Sequence, residues 1–344
     1  MIAKAAVLYE PRRIVFEERS VPEPNQNEVL IKVEAVGICG SDMHLYLDGH
    51  IGTTVLKKPL ILGHEIVGRV VKVGKDAGDA WLGKHVVVDP GVNCGQCEYC
   101  RTGAYNLCNF SQFMGIPDAD GGMVEFIISP ITHIAEIPEF MDSATATLLE
   151  PLSIGLQAVD AAELRAGVSV AVLGGGPVGV LTAMAARLRG CGNLWLTEIY
   201  EKRINIARSL GIERVINALK EDPVSLIKKE TCNRGVDVVF ETTGSAKAVT
   251  QALKLIKRGG SVVLIGIGAG EVPLNIDLIT RSGIKVLGSF RYNYHFPGAV
   301  ALTKVHRLNL TPLVSHRFPF EQTPEALAKA VRDKNEVMKC VVVF

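Results

Sequence analysis

The sequence predicts an α/β protein in which a doubly wound parallel sheet is inserted into a β-rich, barrel-like domain. Three observations lead to this fold class. Up to about residue 90 the chain carries short apolar runs between turn signals, without intervening helical patterns. From about residue 145, strand and helix patterns alternate, which is typical of a parallel sheet with helices on its faces. A chain of 344 residues is long enough for two such domains.

The β-rich part begins at the start of the chain and has turn signals such as the proline-rich stretch 21–25. After about Ser289 a helical pattern precedes a last apolar strand, so the simplest interpretation is that the tail returns to the first domain. We therefore expect a catalytic domain at 1–148 and 290–344 and an inserted domain at 149–289. The predicted elements of the outer parts are strands at Lys4–Tyr9, Arg13–Glu17, Glu28–Gly37, Ile66–Val73 and Lys84–Val88, a helix at Pro297–Leu308 and a strand at Lys339–Phe344.

The inserted part begins with a short apolar run that is rich in β-branched residues, Val168–Leu173, which is the mark of a buried parallel strand. A helical pattern follows it to Arg189, and a second apolar strand, Leu194–Thr197, ends at an acidic residue. Its other predicted elements are helices at Glu201–Leu210, Pro223–Glu230 and Ala246–Lys257 and strands at Arg214–Ile216, Val236–Phe240, Ser261–Ile267 and Ile284–Gly288.

A glycine-rich turn joins the first strand and helix of this part. Gly174 permits a tight turn, Gly176 lets the backbone approach a pyrophosphate, and Gly179 lets the helix pack on the strand. The helix N-terminus then faces the phosphates, and Glu198, about 20 residues further on, can accept the ribose hydroxyls. An ordinary turn and a membrane span over 168–186 are the alternatives, but three consecutive glycines and a proline argue against a span. The sequence therefore predicts a dinucleotide site.

The charge at position 198 also bears on which dinucleotide binds. Glu198 places a negative charge where NADP carries its 2′-phosphate, so we expect NAD to be preferred. Arg203 could partly offset that charge, whereas Ile199 and Tyr200 offer no further cation.

The composition excludes several classes of partner. A net charge of +1 gives no broad attraction to nucleic acid or anionic lipid, and 48% hydrophobic residues are typical of a globular protein. Because the chain passes from Met1 directly into a strand-like run without a signal-peptide pattern, we expect a cytoplasmic protein. Its eight cysteines are then more naturally metal-binding or catalytic than disulfide-bonded.

Half of these cysteines lie within fifteen residues, in the pattern C-x2-C-x2-C-x7-C inside a lobe at about 90–110. Four thiolates at this spacing can close a tetrahedral zinc site, in which every position is filled by protein, so the metal would stabilise the lobe and take no part in catalysis. An iron–sulfur cluster is the alternative, although no further cysteine cluster supplies a redox partner. The four residues are Cys94, Cys97, Cys100 and Cys108.

A second possible metal site is dispersed along the chain. Cys39, His64, Glu65 and Glu150 carry zinc-binding side chains, but spacing alone does not assemble them. A single cysteine is usually a core residue, a single histidine is more often structural than a ligand, and Glu150 suits the first turn of a helix with Pro151 at its first position.

Taken together, these stretches resemble the zinc-containing medium-chain dehydrogenases and, within them, the polyol (sorbitol-like) branch. The resemblance runs over the whole chain and implies a GroES-like β-barrel catalytic domain with an inserted Rossmann domain. The motifs that carry it are Gly37-Ile38-Cys39-Gly40-Ser41-Asp42, Gly63-His64-Glu65, the four cysteines, Glu150-Pro151-Leu152-Ser153, the glycine turn and Gly288-Ser289-Phe290-Arg291-Tyr292.

The resemblance implies a role for each matched residue. Cys39, His64 and Glu65 would bind a catalytic zinc, and Glu150 would bind the metal or hold its water. Since a catalytic zinc must keep an open position, one of the two glutamates must yield when substrate binds. Ser41 and His44 match a relay that carries the alcohol proton toward solvent. The implied cofactor contacts are Gly174, Gly176, Pro177, Val178, Gly179, Glu198, Arg203, Ile265, Ile267, Ser289, Phe290 and Arg291, and the implied substrate contacts are Tyr46, Glu150, Arg291 and Tyr292.

The resemblance also implies an activity, with Zn²⁺ and NAD as cofactors. Hydride would pass from a secondary alcohol of a polyol or sugar acid to NAD, giving a ketose or keto acid, in a homo-oligomer (dimer or tetramer). Leu45 stands where sorbitol-like members often carry a tyrosine, so hexitols, pentitols, hexonates and short diols all remain candidate substrates. A threonine- or butanediol-type dehydrogenase and a non-catalytic NAD-binding relative are the other hypotheses.

Overall fold

The computed structural model of this protein describes residues 1–268 and 270–344. The chain forms two compact units, Met1–Glu150 with Phe296–Phe344, and Pro151–His295. One unit is mainly β and the other is a helix-covered parallel sheet, which confirms the predicted fold class. In the described part of the chain, no helix is both long enough and apolar enough to span a bilayer.

The first unit begins with a series of antiparallel strands and short helices. The strands are β1 (Ile2–Glu10), β2 (Arg13–Ser20), β3 (Glu28–Gly37), β4 (His50–Ile51), β5 (Thr54–Val55), β6 (Leu60–Ile61), β7 (Glu65–Val73), β8 (His85–Val88), β9 (Gly91–Val92), β10 (Gln112–Phe113), β11 (Phe126–Pro130) and β12 (Ile134–Glu136). The helices are α1 (Gly40–Asp48), α2 (Glu98–Arg101), α3 (Ser143–Ala146) and α4 (Leu149–Ala161), in which the chain passes to the second unit. Short 3-10 turns lie at Asp79–Trp81, Tyr105–Leu107 and Ile131–His133.

The second unit alternates strands and helices. Its strands are β13 (Val170–Leu173), β14 (Leu194–Glu198), β15 (Arg214–Asn217), β16 (Val236–Glu241), β17 (Ile256–Leu264) and β18 (Lys285–Gly288), and its helices are α5 (Pro177–Leu188), α6 (Glu201–Ser209), α7 (Pro223–Glu230), α8 (Ala246–Leu255) and α9 (Ile276–Ser282). The strands pair in parallel in the order β15-β14-β13-β16-β17-β18. All four residues of β13 are buried, because helices cover both faces of such a sheet, and this explains its continuous apolar run.

One strand of this sheet differs from its predicted bounds. We expected a helix to Lys257 and a strand at Ser261–Ile267, but α8 ends at Leu255 and β17 runs from Ile256 to Leu264. The register against β16 shifts between Val236 and Val238, so Gly259 and Gly260 lie in a bulge of the strand. As a result Ile265 and Ile267 follow the strand and lie in the loop at its carboxyl end.

After the second unit the chain returns through α10 (His295–His306), β19 (Val314–Pro319), α11 (Thr323–Arg332) and β20 (Lys339–Val343), with 3-10 turns at Thr311–Leu313 and Phe320–Gln322. The larger sheet of the first unit has the order β12-β8-β7-β3-β20-β19, with β11 also on β3, and a smaller sheet has the order β2-β1-β6. Apolar side chains from both sheets form one buried core.

Three strands, β3, β7 and β20, come together at Gly37. Gly37 is paired with Glu65, the first residue of β7, and with Val341 of β20. Cys39 lies two residues after the end of β3 and is the N-cap of α1. The sheet register therefore brings together residues from three distant parts of the chain.

Candidate functional site

The meeting point of β3, β7 and β20 holds a cluster of metal-binding side chains. The ligand atoms of Cys39, His64 and Glu65 all lie within 4.8 Å of one another. His64 is 4% exposed and Glu65 is fully buried. Glu150 is outside this compact group, although it is 3% exposed and its charge acts on His64.

His64 is flanked by two residues of the helix that Cys39 begins. Its Nε2 lies 3.5 Å from Ser41 Oγ, and its Nδ1 lies 3.9 Å from Asp42 Oδ1. Asp42 is fully buried and accepts backbone N–H groups from Cys39 at 2.8 Å and Gly63 at 3.0 Å. A carboxylate behind a histidine commonly fixes the orientation of a metal-binding imidazole. Asp42 belongs to the motif Gly37–Asp42 but has no predicted role there; the local signal for one is an acid three residues after a helix N-cap.

Glu65 has a partner that the sequence analysis did not identify. Lys339 Nζ donates to both carboxylate oxygens of Glu65, at 2.6 and 2.8 Å, and to the carbonyl oxygen of Ile38 at 3.1 Å. Lys339 is 3% exposed, and it is the only buried lysine or arginine in the described part of the chain. Because it lies 274 residues from Glu65, no local pattern could have linked the two.

The charges around the cluster fit a bound cation. Asp42, Glu65 and Glu150 are buried acids, against which Lys339 alone provides a buried lysine or arginine within the described residues. Burial opposes the protonation of His64, but Asp42 and Cys39 together raise its pKa to about 10. Burial also raises the pKa of Glu150 to about 7, although His64 opposes this. Thiolate, imidazole and carboxylate ligands are a donor set that Zn²⁺ prefers, so these residues fit a zinc ion.

The remaining predicted residues of this region lie on α1. The His44 side chain is 49% exposed, with Nδ1 3.7 Å from Asp48, which suits a position at the solvent end of a proton relay. Tyr46, a predicted substrate contact, is 8% exposed and packs in the apolar core of this unit.

The four cysteines of the lobe also converge. Cys94 Sγ lies 3.9 Å from Cys100 Sγ and 3.5 Å from Cys108 Sγ, and Cys97 Sγ lies 3.5 Å from Cys100 Sγ. Four sulfurs at about 2.3 Å from a tetrahedral zinc are about 3.8 Å apart, close to these distances. Backbone N–H groups of Gln96 and Cys97 lower the pKa of Cys94 to about 6, which favours the thiolate that a metal requires. The thiols are free, so the lobe fits a closed zinc site.

In the second unit, the glycine turn lies between β13 and α5. Gly174 has φ +105°, which favours glycine, and a Cβ on Gly179 would lie 1.9 Å from Gly174 O. Gly176 is different: its nearest neighbour would be Arg203 Nη1 at 3.8 Å, so the fold itself leaves space there. Gly176 is the N-cap of α5, with Pro177 at its first position, and no side chain caps the helix. Backbone N–H groups beside open space suit the pyrophosphate of a dinucleotide.

Glu198 ends β14, next to this turn, and is 6% exposed. Its carboxylate accepts the backbone N–H groups of Gly175 at 3.2 Å, Ile199 at 2.5 Å and Tyr200 at 3.1 Å. Arg203 Nη1 lies 3.9 Å from Glu198 Oε2, and its guanidinium lies 5.3 Å from the centre of the Tyr200 ring. The acid is thus held at the strand end, where an adenosine ribose would bind.

The other predicted cofactor residues follow the carboxyl ends of neighbouring strands. Ile265 and Ile267 follow β17, and Ser289, Phe290 and Arg291 follow β18. Ser289 Oγ is buried without a hydrogen-bond partner among the described residues, as expected of a group that awaits a ligand. Arg291 has φ +51°, and its guanidinium lies 4.9 Å from the Phe290 ring, whereas Tyr292 is 2% exposed.

One further segment of this edge, after β16, has no role predicted from the sequence. Glu241 ends β16, is fully buried, and accepts the backbone N–H groups of Thr243 at 2.7 Å and Gly244 at 3.1 Å. Thr242 Oγ1 donates to Leu173 O at 2.9 Å, so this segment is hydrogen-bonded to the end of β13, directly before the glycine turn. An acid followed by two threonines and a glycine at the end of a buried strand was the available signal.

The fold and these sites define a class: dehydrogenases that combine a zinc-binding β-barrel domain with a dinucleotide-binding domain. Comparison with known proteins agrees with this class. Residues 25–139 match the alcohol dehydrogenase GroES-like domain and residues 177–304 match the zinc-binding dehydrogenase domain. The chain belongs to the zinc-containing medium-chain dehydrogenases, in their polyol dehydrogenase branch.

Three relatives illustrate the range of the family. The chain is 39% identical to sorbitol dehydrogenase from Bacillus subtilis over 340 residues, which cover 98% of this chain and 96% of that protein. The solved structure of L-idonate 5-dehydrogenase from Escherichia coli has a TM-score of 0.93 at 27% identity, covering 100% of this chain and 99% of that one. A zinc-binding dehydrogenase from Sinorhizobium meliloti, solved with NADP bound, has a TM-score of 0.91 at 32% identity, covering 100% of both chains.

Proposed function

We propose that this protein is a zinc-dependent oxidoreductase that transfers hydride from a secondary alcohol of a polyol or sugar acid to NAD, giving a ketose or keto acid. The main observation behind this proposal is that Cys39, His64 and Glu65 converge on one buried point. The same chain also has a glycine turn that is suited to a dinucleotide. The names of the relatives, a sorbitol dehydrogenase and an L-idonate dehydrogenase, support the substrate class.

The proposed mechanism assigns a task to each side chain. Cys39, His64 and Glu65 would hold the catalytic zinc, and the ion supplies a Lewis acid that lowers the pKa of a bound alcohol. Asp42 would favour the orientation of the His64 ring through its charge, since its Oδ1 lies 3.9 Å from Nδ1, beyond hydrogen-bond distance. Ser41, 3.5 Å from His64 Nε2, and the half-exposed His44 would pass the alcohol proton to solvent.

The inserted domain, residues 149–289, would bind the cofactor, and residues 1–148 and 290–344 would form the catalytic domain with the zinc lobe at 90–110. The backbone N–H groups at Gly176 would donate to the pyrophosphate oxygens, and the Glu198 carboxylate would accept hydrogen bonds from the ribose hydroxyls. The remaining cofactor contacts would be Gly174, Pro177, Val178, Gly179, Arg203, Ile265, Ile267, Ser289, Phe290 and Arg291. Glu150, Tyr46, Arg291 and Tyr292 are the proposed substrate contacts, and the cation of Arg291 would suit a hydroxyl or a carboxylate.

The test is a panel of hexitols, pentitols, hexonates and short diols with NAD, read from NADH absorbance. We expect turnover with polyols or hexonates that a strong chelator abolishes. Turnover restricted to butanediol or threonine would contradict the proposed substrate class. NADH binding without turnover of any alcohol would contradict the proposal that the protein is an enzyme. Cys39→Ser is the matched control, because it removes one ligand of the catalytic group and leaves the four-cysteine lobe intact.

The preference for NAD over NADP is a separate proposal. Glu198 is held by three backbone N–H groups, and Arg203 is engaged by that acid and by the Tyr200 ring, so the negative charge persists where a 2′-phosphate would lie. We expect a higher kcat/KM with NAD and a smaller preference in Glu198→Gln. Equal or better efficiency of the unchanged protein with NADP would refute this assignment.

We also propose that the protein is a cytoplasmic homo-oligomer, a dimer or tetramer, as the family resemblance implies. Light scattering after size-exclusion chromatography distinguishes the two states, and a monomer would contradict both.

A further inference from the structure

All three N–H donors of Lys339 are used at the proposed zinc ligands: they contact Glu65 and the backbone next to Cys39. A lysine has three N–H donors, and the structure gives Lys339 Nζ three acceptors: Glu65 Oε1, Glu65 Oε2 and Ile38 O. The two bonds to Glu65, at 2.6 and 2.8 Å, hold both carboxylate oxygens. Ile38 precedes Cys39, so the same ammonium also contacts the backbone beside another ligand.

Gly37 completes this arrangement from the other side. A Cβ at Gly37 would lie 1.9 Å from Glu65 Oε2 and 3.0 Å from its Cδ, so only a glycine leaves room for the carboxylate in this position. Glu65 therefore lies between the bare backbone of β3 and the ammonium group from β20. Both neighbours come from the strand register that pairs Gly37 with Glu65 and with Val341.

We propose that Lys339 is a positioning residue that fixes the Glu65 carboxylate and weakens it as a zinc ligand, so that Glu65 can yield while Glu150 serves in its place. This inference rests on the proposed function. An ammonium group that is hydrogen-bonded to both oxygens offsets the negative charge of the carboxylate and repels the metal cation, which weakens the carboxylate as a ligand. The three donors of Lys339 are engaged by Glu65 and Ile38, so Lys339 acts on Glu150 through its charge alone and weakens it less as a ligand than Glu65.

The sign of the effect follows from the charge. Without the ammonium, Glu65 would be a buried acid whose compensating cation is the zinc ion, so the metal should be held more tightly. Changes to the partners of metal ligands alter metal affinity by about 10- to 100-fold. Lys339→Gln removes the charge and keeps an amide donor for Glu65, whereas Lys339→Met removes both.

The experiment measures the rate at which a chromogenic chelator removes zinc from the folded protein. The catalytic zinc is recognised as the ion that is missing in Cys39→Ser. We expect Lys339→Gln and Lys339→Met each to slow its release about tenfold or more. In a Glu65→Gln background, the same substitutions should change the rate less than about twofold, because Lys339 acts through Glu65.

Two other outcomes would overturn the inference about Lys339, and a third would overturn the proposed function. A release rate that is unchanged in Lys339→Gln, with a lower melting temperature, would show a purely structural lysine and overturn the inference. An equal effect in the Glu65→Gln background would also overturn it. If Lys339→Met does not fold, Lys339→Gln and the charge-neutral Lys339→Met/Glu65→Gln pair decide the question. If the unchanged protein holds no zinc that depends on Cys39, the proposed function itself fails, which is a different result.

Discussion

Two glycines of the dinucleotide turn should respond differently to the same added methyl group. Gly176 has φ −70° and ψ 179°, which any residue adopts, and a Cβ there meets nothing closer than Arg203 Nη1 at 3.8 Å. At Gly179 the same Cβ would lie 1.9 Å from Gly174 O and 2.9 Å from Thr242 Oγ1. If the space at Gly176 is reserved for the cofactor, Gly176→Ala should weaken cofactor binding without weakening the fold.

The magnitudes can be worked from these contacts. At a helix N-cap alanine is less favourable than glycine, but the loss of chain entropy on folding is smaller, so Gly176→Ala should change the free energy of unfolding by less than about 1 kcal/mol. Each lost hydrogen bond to a charged phosphate contributes about 1.5–3 kcal/mol, which raises the Kd for NADH by about 10- to 100-fold. Gly179→Ala forces the backbone apart and should cost about 1–3 kcal/mol of stability or more.

The assay pairs a fluorescence titration with NADH and a thermal denaturation of each variant. Gly176→Ala should lose affinity at an almost unchanged melting temperature, while Gly179→Ala should lose both. Wild-type affinity for NADH in Gly176→Ala would refute the reasoning, and so would an equal loss of stability in the two variants.

Three further predictions concern the metal sites and acid stability. Cys39→Ser should abolish turnover with little change in melting temperature, and retained activity in a steady-state assay would end the assignment of the catalytic zinc. Cys100→Ser should lower both zinc content and melting temperature, because it opens a closed four-thiolate lobe; unchanged values of both would contradict a structural zinc there. Burial raises the pKa of Asp237, but hydrogen bonds from Lys257 and Ser169 outweigh it and hold the pKa at about 2, below the ordinary 3.8. The ionised Asp237 therefore contributes fully to the free energy of unfolding above pH 3.8, and this contribution is lost as the pH falls to about 2. In Asp237→Asn, the free energy of unfolding measured in urea should fall by about 1–2 kcal/mol less over this pH range than in the unchanged protein. An unaltered pH profile would contradict this contribution.

The parts of the fold that could be predicted from the sequence are those with local signals. The glycine turn, its strand and its helix form one continuous stretch, and the four cysteines lie within fifteen residues. In each case the distance along the chain is short enough for the pattern itself to imply the geometry. The end of α8 was missed because Ile256 continues the apolar helical pattern, yet its backbone is extended, with φ −72° and ψ 141°. There the strand pairing with β16 overrides the local helix pattern.

The residues that support the metal ligands could not be predicted in the same way. A lysine at the start of a strand is normally interpreted as a solvated charge, since lysine is almost never fully buried unless it is paired. Lys339 is buried only because β20 lies beside β3 and places it over Glu65, 274 residues away in sequence. Glu65 in turn fits there only because Gly37 has no side chain. The positions of Lys339, Glu65 and Gly37 relative to one another follow from the sheet register, and their spacing along the sequence does not indicate it.

The same register explains why the cluster suits a metal whose ligands must exchange. Buried acids are stable only when they are paired, and Asp42, Glu65 and Glu150 outnumber Lys339, the one buried lysine among the described residues. A bound zinc ion would supply the missing positive charge at this point of the site. If each of these acids were paired with its own cation, none of the carboxylates would bind zinc strongly. If none were paired, all of them would coordinate the ion and leave no position for substrate. Because the ammonium group of Lys339 is hydrogen-bonded to Glu65 and acts on Glu150 through its charge alone, Glu65 should be the weaker of the two ligands, which is the asymmetry that an open coordination position requires.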